Sequence, residues 1–238
     1  MHSVTDLHGL TEKPNMSKIS LQLLQDYSEE CLKPYSITDY LDNGQVIMLI
    51  FEDHRFCHLI GIETIAKVKY GKRHWLTKPF RGLNGYQGIK DGTITFKSLK
   101  QLSGMFTSVK DKLIFFYLIP HLIESPEIVI DYVHDPSVSF VECKIMIFDI
   151  LHEVQVHLGI EIQEDGRYYP RTFLIERITD TKDGTRFTAN QQNKISVEKI
   201  EVTEVASGNI LRTITPNPAE VDSEEKTVDA TDSTSNGE

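Results

Sequence analysis

Apolar positions first fall into a helical rhythm at Ile19. There ISLQLLQDYSEECL sets Ile19, Leu23, Leu24, Tyr27, Cys31 and Leu32 along one face, and Pro34 closes the run. Residues 1–15 ahead of it have no clear period and read as a loose lead-in. After the turn-like LDNG, QVIMLIFE (Gln45 to Glu52) is short, apolar and partly β-branched, which predicts a buried strand. EDHRFCHLIG then reads as a short helix, with acids in its first turn and Gly61 as its terminator. The stretch from Lys67 to Gly92 is rich in glycine and basic residues and predicts an extended loop or hairpin. It leads to ITFKSLKQLSGMF, whose later part predicts a short helix. SVKDKLIFFYLIPHLIES is apolar nearly all round, as in a buried helix, with Pro120 kinking or shortening it.

The second half changes character. EIVIDYV, KIMIFDILHEVQVHLGIEIQ, YYPRTFLIERI and KISVEKIEVTEV predict successive strands, with turn signals at Glu164-Asp165-Gly166 and Lys182-Asp183-Gly184. A helical amino-terminal half followed by adjacent strands is an α+β pattern. It contains no alternating βαβ series, no glycine-rich phosphate loop before a helix and no repeat period. The expected organisation is a single α+β domain over residues 16–215, followed by an acidic tail at 216–238. That tail is rich in Ser and Thr and poor in apolar side chains, and is expected to be disordered.

With 238 residues and 39% hydrophobic side chains, a sizeable core is possible. No run of about 18 apolar residues occurs, and MHSVTDLHGLTEKPN lacks a basic start followed by an apolar stretch, so a soluble, cytoplasmic protein is expected. Cys31, Cys57 and Cys143 are odd in number and widely spaced, the pattern of free reduced thiols.

The formal net charge of −10 argues at first against nucleic acid, but its distribution changes the picture. Residues 216–238 hold seven acids and one lysine, a net of −6, which leaves −4 for the other 215 residues. Between Thr64 and Lys90 there are seven bases and no acid, interleaved with Tyr70, Trp75, Phe80 and Tyr86. Lys67, Lys69, Lys72, Arg73, Lys78 and Arg81 are therefore candidates for RNA phosphates, and Tyr70 and Trp75 for stacked bases. The bland alternative is a solvated loop whose lysines do nothing.

Two chemistries suit the histidines near this run. His54 and His58 are four apart and share a helix face, as in many zinc sites, but Arg55 stands where a metalloprotease motif needs Glu, and no third ligand lies nearby. No metal or cofactor is expected, and surface histidines are the simpler reading. Metal-free cleavage of RNA instead needs a base for the ribose 2′-hydroxyl, an acid for the leaving 5′-oxygen, and cations or hydroxyls around the phosphorane. His58 suits the proton transfers, and Tyr168, Tyr169, Arg171 and Thr172 in YYPRTFL suit the charged phosphate. Strict alternation beyond Pro170 would put Arg171 and Phe173 on one side and Thr172 and Leu174 on the other. His152 and His157, five apart on a predicted strand, face opposite sides, and His121 after Pro120 reads as structural.

The order of a strand, HLIG (His58 to Gly61), a basic connector, GTITFKSLKQL, an apolar helix, a long strand and YYPRTFL resembles the phage-type branch of the barnase/EndoU/colicin/RelE-like nuclease superfamily. The resemblance spans about residues 40–205. It implies helices packed on a mostly antiparallel, curved β-sheet, and a metal-independent endoribonuclease carried by phages or mobile elements. By motif, His58 would be the catalytic histidine, with Arg171 and Thr172 contacting the phosphate. Two rivals stand beside this reading. One is a non-catalytic phage accessory or counter-defence protein of the same fold that blocks a host protein or ribonucleoprotein. The other is a DNA mimic, suggested by the overall acidity. For the tail, the charge pattern suggests that it lies over the Lys67 to Arg81 run and competes with RNA.

Overall fold

Ser20 caps the first long helix, its Oγ accepting from the Leu23 N–H at 3.0 Å. The apolar stripe behind it, Leu23, Leu24 and Tyr27, is buried, as the sequence period requires. The structure, a computed structural model, describes residues 1–102, 104–125, 127–135 and 141–216. The tail expected to be disordered lies, from residue 217 on, outside the described residues.

The helices run α1 (Val4–His8), α2 (Leu21–Cys31), α3 (Asp53–Leu59), α4 (Ile62–Tyr70), α5 (His74–Thr77), α6 (Gly82–Lys90), α7 (Phe96–Leu102), α8 (Phe106–Ile114) and α9 (Ile119–Leu122). The strands are β1 (Tyr35–Leu41), β2 (Val46–Ile50), β3 (Glu127–Ile130), β4 (Ile145–Leu151), β5 (Val154–Ile162), β6 (Tyr168–Arg177), β7 (Lys194–Glu204) and β8 (Ile210–Ile214). Their order is β1-β2-β6-β5-β4-β3-β7-β8, and β1 also pairs with β7. Seven strands thus close into a barrel, with β8 attached to β7 outside the ring. All pairings are antiparallel except β2 with β6, which meet in parallel at Leu49 and Tyr168.

The α+β class and the mostly antiparallel pairing hold, but the curved sheet is a closed barrel. Its ends are joined by β1, a strand the hydrophobic pattern does not reveal. Ser36, Thr38 and Asp39 are polar yet buried, so β1 shows no clean alternation. The lead-in also carries structure: α1 has a reciprocal capping box between Ser3 and Asp6, and Leu7 is fully buried.

Lys67 to Gly92 is helical where a loop or hairpin is expected. It contains the end of α4, α5, a 3-10 turn at Lys78–Phe80, and α6. Two of its glycines, Gly85 and Gly88, serve close packing. A Cβ on Gly85 would lie 2.7 Å from the Cys57 Sγ and 2.7 Å from the Phe80 backbone, and one on Gly88 2.9 Å from the Ile94 Cδ1. These gaps let α6 approach α3 and Phe80.

One core joins helices and strands: Phe116 is fully buried and meets the rings of Tyr27, Phe56 and Phe173 edge-on. A smaller core on another side of the strands holds Val129, Val141, Met146 and Phe187. Here His157 is fully buried against Phe187, with neither ring nitrogen hydrogen-bonded among the described residues. Burial pushes its imidazole down from 6.5 to about 4. The unfolded chain therefore binds a proton that the fold refuses, and stability is present above about pH 6.5 and lost as pH falls towards 4. The loss is on the order of 3 kcal/mol at 1.36 kcal/mol per pKa unit. Denaturant titrations of His157→Leu are expected to remove that part of the pH dependence, and an unchanged slope would refute it. His152, by contrast, sits in the β4–β5 turn at φ +47°, its Nδ1 sharing a 2.7 Å hydrogen bond with the Tyr117 hydroxyl.

Candidate nuclease site

The chain reverses at Gly61, between α3 and α4. Its φ of +85° is left-handed, and a Cβ there would lie 2.7 Å from the Val109 Cγ1. The reversal sets His58, in the last turn of α3, over Glu63, in the first turn of α4. Gly61→Ala should therefore destabilise the fold by about 1–3 kcal/mol, read as a drop in the denaturation midpoint. An unchanged midpoint would show that the turn tolerates a side chain.

His58 Nδ1 lies 3.4 Å from the Glu63 Oε2. The imidazole is 46% exposed while the carboxylate is only 8% exposed. A carboxylate can only accept, so the ring faces it with Nδ1–H and turns Nε2 outward. Two more cations share the same oxygen, Arg81 at 3.5 Å and Lys67 at 3.9 Å. Burial works to raise the Glu63 carboxyl. The His58 hydrogen bond and the charges of His58, Arg81 and Lys67 outweigh it, holding the group below the usual carboxylate range. The result is a buried anion ringed by three cationic or protonatable side chains.

Beside it lies an open cleft of about 650 Å³, lined by His54, Glu63, His74, Trp75, Lys78 and Arg81 among others. His58 reaches it through Glu63. Trp75 is 72% exposed, a large aromatic surface left uncovered. Lys69, Lys72 and Arg73 continue the cationic surface along α4 and the turn after it, all exposed. Tyr70 is only half-buried, but its ring already packs on Phe80 with centroids 6.2 Å apart.

Arg171 and Thr172 stand apart from His58, and among the described residues no hydrogen bond or ion pair joins them. Pairing shifts from Thr172–Gly159 to Pro170–Ile160, so Arg171 is the extra residue of a bulge and strict alternation stops there. Phe173 is buried, while Arg171 holds Glu142 at 3.0 Å and Glu161 at 3.4 Å. Thr172 packs its methyl group over Gly159. Between the two groups lies Arg55, one turn before His58. Its guanidinium stacks 3.2 Å from the centre of the Tyr169 ring and is held by Glu52 at 3.0 Å. Gln163 donates to the same Glu52 at 3.0 Å.

Sequence reasoning passes over Glu63, Arg55, Glu52 and His74. Lys67 four residues after Glu63 on one helix face was the available signal. The contact of His58 with Glu63 needs the Gly61 turn and has no spacing rule. Among the described residues, no group of three or more His, Cys, Asp or Glu side chains is placed to hold a metal ion. No described helix is long and apolar enough to cross a membrane.

The structure thus sets a carboxylate-held histidine beside a cleft lined by Lys78 and Arg81. The model of the phage-Barnase-EndoU-ColicinE5/D-RelE like nuclease4 family matches residues 21–206, and the chain belongs to this phage-type nuclease family. Its substrate is accordingly nucleic acid. No curated protein and no solved structure matches the chain.

Proposed function

We propose that the protein is a metal-independent endoribonuclease in which His58 moves the proton and Glu63 positions it. The observation that carries this reading is the His58–Glu63 pair with Arg81 and Lys67 around it. Nε2 accepts the 2′-hydroxyl proton or returns a proton to the leaving 5′-oxygen, while the carboxylate steadies the imidazolium that forms between. Arg81 and Lys67 stabilise the negative charge that grows on the phosphorane. His54 and His74, at the cleft, are the candidates for the second proton transfer. Arg171 and Thr172 serve a phosphate further along the strand, past the stack of Arg55 on Tyr169. For Arg171 this means exchanging Glu142 and Glu161 for the phosphate.

Purified protein incubated with total RNA in EDTA is expected to cleave it, and His58→Ala is expected to leave it whole. Binding of RNA without cleavage by the unaltered protein would favour the non-catalytic accessory protein. Cleavage that the His58→Ala variant retains at an undiminished rate would move the chemistry elsewhere.

A further inference from the structure

A second cavity, of about 590 Å³, opens on the far side of the Lys78 to Asn84 segment and shares both of those residues with the cleft. Phe80 and Ile94 line it, with the Phe80 ring braced by Tyr70. Asn84 and Gln87 also line it, three apart on α6 and exposed. Neither side-chain amide has a hydrogen-bond partner among the described residues. At the end of α6, Asp91 uses Oδ1 to accept from the Thr93 N–H at 3.1 Å, which fixes the carboxylate at the cavity wall with Oδ2 still open.

The geometry points to a nucleobase subsite that reads guanine in the strand whose phosphate lies at Lys78 and Arg81. This inference rests on the nuclease reading above and extends it to substrate choice. Bases of single-stranded RNA are held by stacking and by hydrogen bonds to their Watson–Crick and Hoogsteen edges. Phe80 and Ile94 supply apolar walls for the ring. A carboxylate is an acceptor only, and guanine alone among the four bases offers two adjacent N–H donors, N1–H and N2–H, to pair with it. The two amides can donate to guanine O6 and N7, acceptors that Asp91 would repel. Adenine and cytosine each place a ring acceptor beside their amino group, and uracil sets one N–H between two carbonyls. Both arrangements leave a carboxylate oxygen facing an acceptor.

The test uses the full chain carrying His58→Ala, so that binding is read without turnover, and RNA tetranucleotides that differ in one base. The guanine form is expected to bind about tenfold or more tightly than its adenine, cytosine or uracil counterparts, the range one bidentate base contact commands. Asp91→Asn keeps the Thr93 contact but no longer accepts two N–H groups. It is expected to erase the preference with melting temperature unchanged, and Asn84→Ala with Gln87→Ala to weaken it. Equal binding of all four bases, or a preference that survives Asp91→Asn, overturns the subsite. The two readings fail separately. Cleavage by the unaltered chain that depends on His58 while base preference ignores Asp91 removes the subsite alone. Asp91-dependent guanine binding by a chain that never cleaves removes the nuclease reading and leaves the subsite.

Discussion

Replacing His58 with alanine is expected to lower RNA cleavage by about 10²–10⁴-fold, the usual contribution of a positioned acid or base. Folding should survive the change, because the imidazole is half exposed and makes one long hydrogen bond. RNA binding should survive as well, since Lys67, Lys78 and Arg81 remain. Glu63→Gln separates positioning from chemistry. The amide keeps the shape of the side chain, but it can also donate to Nδ1 and so admits the wrong tautomer. A fall in kcat smaller than that of His58→Ala, with KM little changed, is the expected result. Equal activity of Glu63→Gln and the unaltered chain would mean that the carboxylate only neutralises Arg81 and Lys67.

Reversing Lys69, Lys72 and Arg73 to glutamate is expected to weaken binding to every RNA sequence alike. The three side chains are exposed, and no ion pair engages them among the described residues. Each phosphate contact removed from a single strand takes about 0.7 from the slope of log affinity against log salt. Loss of all three therefore flattens that slope by about 2, so the effect is largest at low salt. An unchanged slope would return these residues to the role of solvated surface.

The elements with a strong period were legible from the sequence: α2, β2, α3, β3, β6 and β7 lie where the pattern puts them, while the one long strand expected over residues 144–163 is the hairpin of β4 and β5, reversed at His152 and Glu153. What escaped it has physical causes. β1 is covered on both faces and buries Ser36 and Thr38 on one and Asp39 on the other, with burial pushing the Asp39 carboxyl up to about 7. Neither alternation nor hydrophobicity marks such a strand, and with it went the closure of the barrel. β8 lies outside the ring with Ile210 and Leu211 exposed, so no buried face gives it a pattern. In α6 Gly85 and Gly88 imitate a loop, but they permit close contact, with Cys57 and Phe80 and with Ile94, rather than a turn. The site divides the same way. His58, Lys67, Trp75, Lys78 and Arg81 could be read from composition and motif, and they gather around Glu63 and its cleft. The contact of His58 with Glu63 could not be found, because it depends on one left-handed glycine. Arg171 and Thr172 were read under strict alternation, which the bulge at Arg171 ends.

The chemistry at His58 is tested most directly by the ends of the cleaved strands. An RNA oligonucleotide is cut in EDTA, and a matched one lacks the 2′-hydroxyl at the cleaved position. Attack by the 2′-hydroxyl leaves a 2′,3′-cyclic phosphate and a 5′-hydroxyl, and mass spectrometry of the fragments is expected to show that pair, with the deoxy-substituted strand uncut. Fragments ending in a 3′-hydroxyl and a 5′-phosphate, or equal cutting of the deoxy-substituted strand, would contradict it.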